Sequence, residues 1–109
     1  MVQPISPQEV HNKLHSNKDI IVIDVLPNKY FKKQHIPQAI NIPTDNITEE
    51  ASHFLDKKRT IIVYCYDKDC QASPKAAQIL EDNGYENIYD LEEGIEGYKQ
   101  AGFNIITYD

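Results

Sequence analysis

Two cysteines carry most of the chemistry this sequence can offer. Cys65 follows a β-branched run, TIIVY at residues 60–64, and Cys70 stands five positions later in a polar stretch, YDKDCQAS at residues 66–73. A side chain at the carboxyl end of a buried parallel strand lies where such sheets bind ligands, and a following helix offers free N–H groups and the positive end of its dipole. That setting stabilises a thiolate, the nucleophilic form of cysteine. The amides from Tyr66 to Ser73 could also cradle a persulfide. The competing reading is a buried cysteine acting as a small hydrophobe, and position alone leaves the two evenly matched.

Cys70 adds a second possibility. With four loop residues between them, the two thiols could reach the roughly 4.4–6.8 Å Cα separation that a disulfide needs. Attack by Cys70 on a Cys65 persulfide or sulfenate would release sulfide or water and leave a disulfide, as a resolving thiol does. Alternatively Cys70 points elsewhere and is incidental. Asp67 and Asp69 oppose a low thiol pKa and repel anions, and Lys68 offsets only part of that. The rest of the loop, Gln71 and Ala72 leading to Ser73, carries no charge.

Other residues offer less. Asp24 ends an apolar run and could orient loop amides or simply accept a structural hydrogen bond. His11, His15 and His53 read as surface residues of helices. With two cysteines and no histidine beside them, a zinc site is not expected. Asp67-x-Asp69 lacks the glycine and terminal glutamate of a calcium loop. Tyr85, Tyr89 and Tyr98 read as core and rim, and Glu92, Glu93 and Glu96 as a solvated helix face.

The elements that must position Cys65 follow from pattern. Ser6-Pro7 reads as a cap and first-turn proline, with Val10 and Leu14 on one face of a helix ending near Ser16. Residues 20–25 (IIVIDV) and 60–64 are nearly continuous apolar runs, as in strands buried on both faces of a parallel sheet. A short helix is expected over residues 28–34, a short strand over 39–42, and a helix capped by Thr44 or Asp45 through about residue 56. Ser73-Pro74 repeats the cap signal for a helix that Asn83-Gly84 ends. A last short strand over 87–89 and a helix over 91–100, ended by Gly102, complete the reading. Alternation of this kind implies an α/β fold with a parallel sheet covered on both faces and right-handed crossovers.

The chain has 109 residues, expected to form one domain over residues 1–109. Hydrophobic residues make up 40% and charged residues 26%, the balance of a globular rather than a disordered chain. A net charge of -6 argues against nucleic acid and against acidic partners. No run approaches the roughly 20 apolar residues that span a bilayer, so no membrane association is expected. The N-terminus lacks the basic start and apolar run of a secretory signal, which points to a reducing, cytoplasmic setting with both cysteines as thiols at rest. The sequon at Asn46 is then accidental.

Four segments in register resemble the rhodanese-like sulfurtransferases, over residues 5–105. IVIDV at 21–25 is similar to that family's strand ending in D-V-R, and HIPQAINIP at 35–43 to its G-H-I-P-G-A-x-N-I-P segment. IIVYC at 61–65 is similar to the strand leading into its nucleophile, and YDLEEGIEGY at 89–98 to its L-x-G-G-x-x-x-W close. The resemblance implies a three-layer fold with a central, mainly parallel five-stranded sheet and helices on both faces. It implies that Cys65 accepts sulfane sulfur from a persulfide or thiosulfate and passes it to a thiol acceptor or a sulfur-accepting protein, with no cofactor. For His35 it implies a packing and hydrogen-bonding role.

The departures from the family are specific. Aligned on the Ala-rich helix, the loop after Cys65 is two residues longer than the usual one and has neither glycine nor arginine, and Leu26 stands where the family has Arg. Thiosulfate:cyanide exchange is therefore disfavoured. Phosphatase or arsenate reductase chemistry needs a loop arginine to hold the oxyanion bidentately, and the chain's one arginine is Arg59, before the strand. Two alternatives to a sulfurtransferase remain: a redox-active Cys65/Cys70 dithiol switch, and a catalytically silent interaction module.

Overall fold

The computed structural model of the chain describes residues 1–16 and 19–108. In chain order the elements are β1 (Val2–Pro4), α1 (Pro7–Ser16), β2 (Ile20–Asp24), α2 (Asn28–Phe31), β3 (Gln34–His35), β4 (Ile40–Asn41), α3 (Ile47–Phe54), β5 (Thr60–Tyr64), α4 (Ala72–Asp82), β6 (Asn87–Leu91), α5 (Gly94–Gln100) and β7 (Ile106–Thr107). Five strands form one sheet in the order β1-β6-β5-β2-β4, every neighbouring pair parallel. β3 and β7 make a separate antiparallel pair. The expected α/β architecture is present, with β5 at the centre.

Side chains of a strand alternate between the two faces of its sheet. Ile61 and Val63 of β5, with Cys65 just after it, pack with Ile47 and Ala51 of α3 and with Ala76, Ala77 and Leu80 of α4. Ile62 and Tyr64 point the other way, to Val10 of α1 and Ile95 and Tyr98 of α5. Burial on both faces is why the strand reads as an unbroken apolar run. Each of these fully buried isoleucines stabilises the fold by about 2 kcal/mol.

Local signals place most helix ends. The Ser6 hydroxyl accepts from the Glu9 N–H at 3.1 Å and a Glu9 carboxylate oxygen accepts from the Ser6 N–H at 3.1 Å, a reciprocal capping box that starts α1. α4 ends at Asn83 followed by Gly84 at φ +92°. Several boundaries differ from expectation. The helix expected over 28–34 stops at Phe31, because Gln34 and His35 pair with Thr107 and Ile106. The strand expected over 87–89 continues to Leu91, which pairs with Tyr64, so α5 begins three residues later than expected, at Gly94. Thr44 and Asp45 form a 3-10 turn without capping by either side chain. The Thr44 hydroxyl instead reaches the Ala72 and Val25 carbonyls, at 3.0 and 3.4 Å, and ties the β2 exit to the start of α4.

The HIPQA segment contains a tight turn. The Ala39 N–H donates to the Ile36 carbonyl at 3.0 Å, Pro37 follows Ile36, and Gln38 has φ +73°. A turn with proline second and positive φ third favours glycine at that third position, which is where the resembling family carries it.

Candidate functional site

β5 delivers Cys65 to the carboxyl end of the sheet, 1% exposed and joined to Cys70 by a disulfide with a Cα separation of 6.3 Å. Of the two states the sequence allows, free thiols and a disulfide across the short loop, the structure has the bonded pair. Cys70 is half-buried and packs against the same core cluster as Cys65. Its position is also set by backbone bonds. The Cys70 N–H donates to the Asp67 carbonyl at 3.1 Å, and the Asp69 N–H donates to an Asp67 carboxylate oxygen at 3.1 Å. A turn closed this way brings the sulfurs together.

The loop's two ends are held differently. At its entry, the Ile95 and Glu96 amides at the start of α5 donate to the Cys65 and Tyr66 carbonyls, both at 3.0 Å. Gly94 makes that approach possible, since a Cβ there would overlap the Tyr66 carbonyl group. At its exit, the Ser73 N–H donates to Cys65 Sγ at 3.4 Å, and the Ser73 hydroxyl oxygen lies 3.5 Å from the same sulfur. Ser73 was expected as the helix cap. It lies instead inside the first turn of α4, behind Gln71 and Ala72, and its amide points to the sulfur. Of the amides from 66 to 73, Asp69's and Cys70's serve Asp67 while Ser73's serves Cys65.

The surroundings are acidic. A cleft of about 490 Å³ beside Tyr66 is lined by Asp67, Asp69, Glu93 and Glu96, with Lys68 the one cation among its lining residues. Arg59 precedes β5, at the opposite end of the strand from Cys65, and its side chain donates to the Asp19 carbonyl at 3.1 Å. Among the described residues, no cluster of three or more His, Cys, Asp or Glu could hold a metal ion. No described helix is long and apolar enough to cross a membrane.

Asp24 is 1% exposed and fully engaged. One carboxylate oxygen accepts from the Leu26 N–H at 2.9 Å, and the Tyr64 hydroxyl bonds to the carboxylate while accepting from the Ile36 N–H at 3.0 Å. Burial pushes the Asp24 carboxyl up to about 6, against the lowering effect of those two donors. His35 is buried, stacked on Phe31 with centroids 4.0 Å apart, and its ring nitrogen lies 3.3 Å from the Phe31 carbonyl. His11 is half-buried and stacks on Phe103 at 4.1 Å, more enclosed than a surface residue.

Sequence reasoning passed over Asp90. It is 4% exposed, and its Oδ1 has no hydrogen-bond partner among the described residues. Burial raises its carboxyl above the ordinary range, the Ser73 hydroxyl pulls it back, and the charge of Glu92 raises it further. Ser73 thus stands between the Asp90 carboxylate and the Cys65 sulfur. The signal was present in the alternation: Asp90 shares its face with Ile88, so a carboxylate occupies a buried register.

Known proteins resemble the chain along most of its length. A family model described as a rhodanese-like domain matches residues 6–101. The chain is 30% identical over 87 residues to the thiosulfate sulfurtransferase GlpE of Coxiella burnetii, covering 80% of this chain and 78% of that protein. It is 32% identical over 100 residues to a tRNA uridine(34) hydroxylase of Buchnera aphidicola, covering 86% of this chain. The chain spans only 31% of that hydroxylase, and 38% of an HTH-type transcriptional regulator of Mycobacterium tuberculosis that it also matches. Among solved structures, a rhodanese-like domain protein from Staphylococcus aureus superposes with a TM-score of 0.81 at 25% identity, covering 98% of this chain and 99% of that one. The BH2092 protein of Bacillus halodurans gives 0.89 at 28% identity, covering 96% and 77%.

Proposed function

Since this chain belongs to the rhodanese-like domain family, we propose that it is a sulfurtransferase carrying sulfane sulfur as a persulfide on Cys65, acting as one domain in the cytoplasm. The observation that carries this reading is the meeting of Cys65 Sγ with the Ser73 N–H at the start of α4. A helix N-terminus favours negative charge on the sulfur, as thiolate before loading and as persulfide after it. The reduced Cys65 thiolate attacks the terminal sulfur of a donor persulfide, the donor's sulfur–sulfur bond breaks, and the donor leaves as a thiolate. A thiol acceptor, small molecule or protein, then takes the sulfur in the reverse sense.

The acidic cleft and the absence of a loop arginine disfavour thiosulfate, a dianion, as donor. A low-molecular-weight persulfide, which carries at most one negative charge at its reacting end, suits the site better. A second reading, a dithiol switch without sulfur transfer, is favoured by the Cys65–Cys70 bond.

Intact-mass measurement of the reduced protein after exposure to glutathione persulfide separates these readings. The expected result is one added sulfur on the Cys70→Ser variant and none on Cys65→Ser. Absence of any added sulfur on Cys70→Ser, with the fold intact by circular dichroism, would leave the switch or a silent interaction module.

A further inference from the structure

Cys65 is enclosed by Cys70, Ser73 and the α3/α4 side of the core, and only 1% of it is exposed. An acceptor protein would have to open the loop to reach a sulfur bound there. Cys70 is already within bonding reach, and the Asp67 turn holds its backbone in place by hydrogen bonds of its own. A thiol tethered across so short a loop acts at an effective concentration that external thiols do not match.

Charge acts in the same direction. Asp67 and Asp69 lie in the loop between the two cysteines, and Glu93 and Glu96 line the cleft beside that loop. Their like charge repels hydrosulfide once it is free and so disfavours its return to the disulfide. We propose that the chain is a persulfide reductase that releases hydrosulfide, with Cys70 as the resolving nucleophile; this rests on the loading of Cys65 described above.

The step balances without a metal or cofactor. The Cys70 thiolate attacks Cys65 Sγ, the inner sulfur of the persulfide. The bond between Cys65 Sγ and the outer sulfur breaks, and the outer sulfur leaves with the bonding pair as hydrosulfide. The Cys65–Cys70 disulfide forms in its place. The sulfane sulfur is reduced by two electrons, and the two cysteines are oxidised by two. Two molecules of a low-molecular-weight thiol then reduce the disulfide and leave as their own disulfide. The net reaction consumes one donor persulfide and two thiols, and yields the donor thiol, hydrogen sulfide and one small-molecule disulfide. The Cys65–Cys70 bond of the structure is the one this step forms.

The test uses the reduced full chain, freed of reductant, with one equivalent of glutathione persulfide under anaerobic conditions. The expected wild-type result is about one sulfide released per chain above the persulfide blank, loss of both protein thiols, and no added sulfur in the intact mass. Cys70→Ser and Cys70→Ala are both expected to keep the added sulfur on Cys65 and to release sulfide about a hundredfold more slowly until thiol is supplied. Wild-type protein that retains the added sulfur without releasing sulfide would overturn the proposal, as would variants that release sulfide at the wild-type rate. Those results leave Cys65 loading standing, whereas loss of loading in the folded Cys70 variants removes the sulfurtransferase reading itself.

Discussion

Asp24 and Asp90 are both buried carboxylates in the strands that flank β5, yet they lie on opposite faces of the sheet. Asp24 shares the α1/α5 face with Val22 and Tyr64, and its carboxylate is tied to the Leu26 N–H and the Tyr64 hydroxyl. Asp90 shares the α3/α4 face with Ile88 and Cys65, leaves Oδ1 without a partner among the described residues, and meets the sulfur only through Ser73. A buried carboxylate whose bonds are filled acts as a strut. One with an open oxygen that shares a serine with a nucleophile is placed to act on the charge of that nucleophile, which the pair Asp24→Asn and Asp90→Asn tests.

The largest effect is expected at Gly94, where α5 meets the backbone of the loop that follows Cys65. A Cβ there would overlap backbone atoms of Tyr66 and lie 2.6 Å from the Asp67 nitrogen, at a φ of +67° that already disfavours a side chain. Backbone cannot yield as a flexible side chain does. Gly94→Ala is expected to lower stability by about 3 kcal/mol, read from urea denaturation. A loss below about 1 kcal/mol would show that α5 can move off the loop at little cost.

Smaller effects are expected at the two carboxylates themselves. Because the folded-state pKa of Asp24 is raised, the neutral form is the one folding favours. The resulting stability is fully present below the unfolded carboxyl pKa, near 4, and is lost as pH rises through about 6. Asp24→Asn should remove on the order of 2 kcal/mol of that decline between pH 4 and 7, measured as unfolding free energy across the range. It should leave the alkylation profile of reduced Cys65 unmoved. Asp90→Asn should do the opposite to the cysteine, shifting alkylation to lower pH because a carboxylate near the thiolate is gone. Equal shifts in both variants would dissolve the distinction between the two faces.

The smallest expected effect tests the Asp24 side without touching its polar atoms. Gln38→Gly removes the positive-φ penalty in the turn whose Ile36 N–H meets the Tyr64 hydroxyl. A gain of up to about 1 kcal/mol in the denaturation midpoint analysis is expected, reduced by the greater freedom of glycine in the unfolded chain. Destabilisation would mean that the Gln38 side chain holds the turn in a way its backbone angle does not reveal.

Much of this architecture was legible in order along the chain. The β-branched runs of β2 and β5, the Ser6 cap, the Asn83-Gly84 stop and the position of Cys65 at a strand end all follow from windows of a few residues, because propensity, periodicity and capping are local properties. What tertiary structure decided lies between segments. β1 is three residues ending in proline, and it becomes a strand only because the exposed edge of β6 offers a ladder. Gln34 and His35 left their expected helix for Thr107 and Ile106. Asp90 acquired its meaning from Ser73 on a helix packed over its face, and Cys70 from a turn that Asp67 closes. Composition and spacing name the groups able to react. Which sulfur meets which amide, thiol or carboxylate depends on the register of strands and the seating of helices, and those are settled by burial of the whole core at once.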